Sequence, residues 1–127
     1  MKNTLLLLAA IGVTTASFAQ KDEIKAATKA LKSGDAAAVL SALDGAASTI
    51  DAAEVKYVNQ FYFLQGEAYA MQAKAGDFSA YDKAVASYTK AMQSETASGK
   101  AKYTADIKQK FATMTSEIVN AAVSDNK

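Results

Sequence analysis

A chain of 127 residues that carries 14 basic and 13 acidic side chains but neither histidine nor cysteine excludes several functions at once. Imidazole acid–base catalysis, thiolate nucleophiles, zinc–thiolate centres and disulfides have no residues to build them. The even charge balance argues against a nucleic-acid footprint, and the lack of arginine removes the planar fork that grips carboxylate or phosphate.

Taken in order, the chain opens on a segment with the layout of a secretory leader. Lys2 gives the positive start, Leu5 to Val13 the apolar run, and Ser17-Phe18-Ala19 the small residues that a signal peptidase reads. The run is too short to span a bilayer, which takes about 20 apolar residues. Residues 1–19 are therefore expected to be a cleaved signal, Gln20 the mature N-terminus, and residues 20–127 one helical domain that is periplasmic or secreted and does not insert into a membrane. Half of the whole chain is hydrophobic, proline is absent and there are six glycines. Much of the apolar content is alanine, and no run alternates as a strand would, so an all-α fold is expected.

The first helix is predicted over 22–32, with Ile24, Ala27, Ala30 and Leu31 on its apolar face and acids and lysines placed as the helix dipole favours. Ser33-Gly34 breaks it, and Asp35 caps a second helix whose stripe runs from Ala36 through Val39, Leu40 and Leu43 to Ile50, with Gly45 inside. Asp51-Ala52-Ala53-Glu54 reads as a capping box opening a third helix to about residue 75. That helix carries two apolar stripes and so packs on two neighbours, and Gly66 within it is expected to let the next helix approach near Ala84 and Val85. After Gly76-Asp77, Ser79 and Asp82 are expected to cap a fourth helix running to about residue 96, faced by Tyr81, Ala84, Val85, Tyr88, Ala91 and Met92. A fifth is predicted over 100–123. Its stripe is Tyr103, Ile107, Phe111, Met114, Ile118 and Ala122, and its polar side holds Lys102, Asp106, Lys110 and Glu117.

Lys32-Ser33-Gly34-Asp35 and Lys74-Ala75-Gly76-Asp77 each lie between two helical patterns, about 40 residues apart, a period in the range of helical repeats. In the second copy Tyr62, Gly66 and Tyr69, then Ala84, Tyr88 and Ala91, have the spacings of a tetratricopeptide repeat (TPR). In the first, Gly34, Val39, Leu43 and Ala46 follow the same pattern. Residues 57–96 resemble that family best, although no proline closes the repeat and the stretch between copies is longer than usual. The resemblance implies a short TPR-like solenoid of about five antiparallel helices, like the N-terminal part of exported bacterial TPR proteins. It also implies a non-enzymatic module that binds a protein or peptide in a groove lined by the first helix of each hairpin. By position that lining is Gln60, Phe63, Glu67 and Ala70. The carboxylate-clamp variety does not fit, because Phe63 and Glu67 stand where lysine and asparagine would be needed.

No catalytic, metal or cofactor site is expected. Asp77 and Asp82 read as turn and cap residues, the tyrosines as core residues with hydroxyls at the rim, and the lysines as dispersed solvated faces that form no patch. The alternative to a binding module is a structural protein that self-associates through its fifth helix, whose apolar stripe lacks the partner helix that would complete a third repeat.

Overall fold

The computed structural model describes residues 20–125 and is all-helical. The predicted leader lies outside the described residues. Helix α1 covers residues 20–32. It is followed by α2 (Ala36–Asp44), a 3-10 turn (Ile50–Ala52), α3 (Val55–Lys74), α4 (Ala80–Ser98) and α5 (Thr104–Asp125). No strand occurs among the described residues.

The two Gly-Asp turns fold their helices back in the same way. Gly34 and Gly76 take φ values of 75° and 120°, which side-chain-bearing residues rarely adopt. Asp35 then caps α2 by accepting from the Ala38 amide at 3.0 Å, whereas Asp77 accepts from the Ser79 hydroxyl within its own turn. Ser79 makes no side-chain cap to α4, so the expected Ser79–Asp82 cap is replaced by this local bond.

Two other expectations are corrected. The second helix does not reach Ile50: it ends at Asp44 with Gly45 as C-cap, and residues 45–49 run as turns. The Glu23 side chain of α1 lies where a β-carbon on Gly45 would be, so the glycine accommodates the neighbouring helix. Asp51 does not cap α3 either. It sits in the 3-10 turn and accepts a 2.7 Å hydrogen bond from the Tyr62 hydroxyl, latching the inter-hairpin loop to the middle of α3. Gln20 ties the same loop to α1 by donating to the Thr49 carbonyl at 2.8 Å.

Side-chain pairings give the helix directions. Ser87 meets Gln65, Tyr88 meets Glu67 and Lys90 lies over Tyr62, so α4 runs antiparallel to α3. Tyr81 meets Glu117, Tyr88 meets Phe111 and Glu95 meets Thr104, so α5 runs antiparallel to α4. Phe63 with Tyr103, Glu67 with Lys110 and Lys74 with Glu117 set α5 parallel to α3. The core is continuous from Ile24 and Ala27 of α1, through Val39 and Leu43 of α2 and Phe61, Leu64 and Ala68 of α3, to Tyr88 of α4 and Ile107 and Met114 of α5.

Helix α5 buries only Ile107 and Met114 among its larger apolar side chains, at about 1.5–3 kcal/mol each. Its start is held by a charge. Glu95, only 2% exposed, accepts from the Tyr103 amide at 2.6 Å and the Thr104 hydroxyl at 3.0 Å. A carboxylate at a helix N-terminus satisfies amides that have no intrahelical partner and meets the positive end of the dipole.

Gly66 does admit the fourth helix, and the nearest group is the Tyr88 ring; Ala84, one turn away, is buried, whereas Val85 faces outward. A β-carbon at 66 would stand 2.5 Å from the Tyr88 ring. Helix propensity alone would make Gly66→Ala stabilising by about 1 kcal/mol. The overlap with the ring reverses the sign, and a net loss of about 1–3 kcal/mol is expected from the denaturant midpoint. A raised midpoint would mean that Tyr88 can withdraw freely.

Candidate functional site

Helices α3 and α5 flank an open groove of about 300 Å3 whose lining includes Ala70, Met71 and Met114 as well as charged groups. Two similar assemblies tie the helices around it, the first on its rim and the second joined to it through Lys74. In the first, the Tyr88 hydroxyl of α4 donates to Glu67 Oε1 of α3 at 2.6 Å, and Lys110 Nζ of α5 lies 2.9 Å from the same oxygen. About two helical turns along each helix, Tyr81 of α4 donates to Glu117 Oε2 of α5 at 3.2 Å, and Lys74 of α3 lies 3.6 Å from Glu117 Oε1. The acid is on α3 and the lysine on α5 in the first assembly, and the reverse in the second. Both tyrosines come from beneath, on α4. Lys110 and Glu117 are thus half-buried and face α3, not solvent as the polar side of the fifth helix suggested.

The four residues carried over from the TPR pattern are divided by this geometry. Glu67 and Ala70 line the α3–α5 groove. Gln60 lies on the opposite flank of α3, in a groove shared with α1. Phe63 stacks on Tyr103 with ring centroids 4.3 Å apart and packs obliquely on Tyr88, so it serves as the half-buried join between α3 and α5. Sequence reasoning missed Lys110 and Lys74 as groove residues and Glu117 as the partner of Lys74. Each stands about one heptad from its counterpart, and that repeat of charges was the available signal.

The lysines also depart from expectation. Lys21, Lys25, Lys29 and Lys32 line one wall of the α1–α3 groove, opposite Tyr57 and Gln60, and so form a row. Among the described residues no group of three or more acids is placed to hold a metal ion, and no helix is long and apolar enough to cross a membrane.

Tyrosine ionisation is suppressed throughout this network. Burial, then the Glu67 hydrogen bond and charge, push the Tyr88 hydroxyl far above its usual range. Burial and Asp51 raise Tyr62 to about 12, and burial and Glu117 raise Tyr81. An unfolded tyrosine ionises near pH 10, so above that pH the unfolded chain binds fewer protons than the folded one. The stabilising contribution is therefore complete below about pH 10 and falls as pH rises further, by up to about 1.4 kcal/mol per unit for Tyr88. Denaturant midpoints from pH 8 to 11.5 should drop less steeply for Tyr88→Phe than for the parent chain. Equal slopes would show that Tyr88 titrates freely.

Compared with protein-family models, curated proteins and solved structures, the chain matches none of them.

Proposed function

We propose that this chain is a non-enzymatic, exported binding module of the TPR kind that holds a protein or peptide segment against α3. The observation that carries the reading is the α3–α5 groove. It has an apolar floor at Ala70, Met71 and Met114 and rims whose charges are already paired across the helices. Polar side chains held in fixed positions around a small apolar floor suit recognition of a segment that offers both polar and apolar groups. The parallel course of α3 and α5, with α4 antiparallel to both, is also the order a TPR stack requires. The non-enzymatic part rests on residue types: no histidine or cysteine is available, and burial, then Glu67, push ionisation of the groove's tyrosine far above its usual range.

A random peptide library panned against the chain should yield ligands whose binding is lost in Ala70→Trp, which fills the groove floor, while the melting curve is kept. Ligands indifferent to Ala70→Trp would remove the groove from the proposal. Export is tested separately: mass spectrometry of protein recovered from the producing cells should show Gln20 at the N-terminus, and an intact Met1 would overturn it.

Self-association is the second reading, favoured by the outer face of α5. Ile118, Val119 and Val123 are 43%, 54% and 55% exposed, and Phe78 beside Ile118 is 56% exposed. Phe111 is unsuited to the test because it is half-buried edge-on against Tyr88. Val119→Glu should turn a concentration-dependent sedimentation mass into a monomeric one without altering the melting curve. A parent chain that is monomeric at high concentration would eliminate this reading.

A further inference from the structure

We propose that the groove between α1 and α3 binds an extended acidic peptide segment, with carboxylates at alternate positions seated on the lysine row of α1. The inference rests on the reading of the chain as a peptide-binding module and assigns a partner chemistry to the flank of α3 that carries Gln60.

Lys21, Lys25, Lys29 and Lys32 are all exposed. At 100° per residue they fall within roughly an 80° sector of the helix. None of them makes an ion pair among the described residues, where the paired lysines are Lys56, Lys74 and Lys110. The facing wall brings no acid to neutralise them. It presents Tyr57 and Gln60, while the nearby Glu54 is engaged by Lys56, whose ammonium lies over the Tyr57 ring. Beneath the row Ile24 is buried, so the groove has an apolar floor between a cationic wall and a neutral one. On a chain whose overall charge is close to zero, this is a local field and not a general basicity.

Spacing selects the form of the ligand. Lys21, Lys25 and Lys29 follow one another at about 6 Å along the helix axis. In an extended chain, residues two apart point the same way and stand about 6.6 Å apart. Carboxylates at every second position therefore meet successive lysines, while the intervening side chains point away from the row. Lysine is a flexible point charge that needs no planar partner, and it absorbs the small mismatch in pitch. Nucleic acid is disfavoured by the missing arginine and the balanced total charge. A bilayer surface is disfavoured because the lysines form one wall of a groove that also includes Tyr57 and Gln60.

The test uses the full chain and a fluorescein-labelled twelve-residue peptide of alternating glutamate and serine, followed by anisotropy at low salt. Saturable binding that weakens as salt is raised is expected. The double variant Lys25→Gln/Lys29→Gln should lose at least tenfold in affinity. Lys100→Gln/Lys108→Gln removes the same charge elsewhere and should leave affinity unchanged. A peptide of the same composition with its glutamates in one block should bind several-fold more weakly, since half of them would face away. Equal losses in the two double variants, or equal binding of the blocked peptide, would overturn the inference. So would equally tight competition by a single-stranded oligonucleotide or by phosphatidylglycerol vesicles. If the acidic peptide fails while ligands sensitive to Ala70→Trp exist, this inference alone falls. If neither kind of ligand binds, the binding-module reading falls with it.

Discussion

The structure depends on Tyr88 lying flat against a backbone that has no side chain. Gly66 gives the ring its place on α3, and Phe63 and Phe111 close on it from α3 and α5. One side chain thereby spans three helices. Its hydroxyl then reaches Glu67, so the same residue that fills the core also fixes the rim of the groove. A glycine in mid-helix is costly in conformational entropy. The cost is offset by the contact area of a large ring that would otherwise have to stand off from α3.

Three buried tyrosines each donate to a carboxylate on a different element: Tyr62 to Asp51, Tyr81 to Glu117 and Tyr88 to Glu67. This device suits a chain without arginine. The phenol supplies an apolar body for the core and a single donor at its edge, and two of the accepting carboxylates, Glu67 and Glu117, also meet a lysine from a third helix. Packing and surface electrostatics are coupled as a result, because both acids are positioned by core residues. Glu95 extends the same logic to the backbone, where its carboxylate holds the first turn of α5 against the last turns of α4.

Helix number, helix type and the two Gly-Asp turns were legible in the sequence because periodicity and turn chemistry are local. The failures involve long-range partners. Asp51 looked like a cap by its spacing, but Tyr62, eleven positions along the chain, bound it instead. The stripe of the second helix continued to Ile50 because that residue is indeed buried, yet a 3-10 turn, not the helix, carries it inward. Phe63 fell between two apolar stripes, and only its stacking on Tyr103 shows that α5 covers it. Of the candidate site, Glu67 and Ala70 share one groove and Gln60 lies in another. The lysines of α1 were counted as a dispersed set because counting by helix ignores which face each one takes.

The two hairpins are joined by a segment, residues 45–54, that is mostly not helical. Its fastenings to the helices include the bond from Gln20 to Thr49 and the bond from Tyr62 to Asp51. The segment also carries Ile50 into the core, so it fastens the first hairpin to α3 beside the buried Ile24, Val39 and Leu43. Protection of backbone amides against solvent exchange is therefore not uniform along the chain. Amides of residues 45–49, which run as turns, exchange ahead of those in the flanking helices.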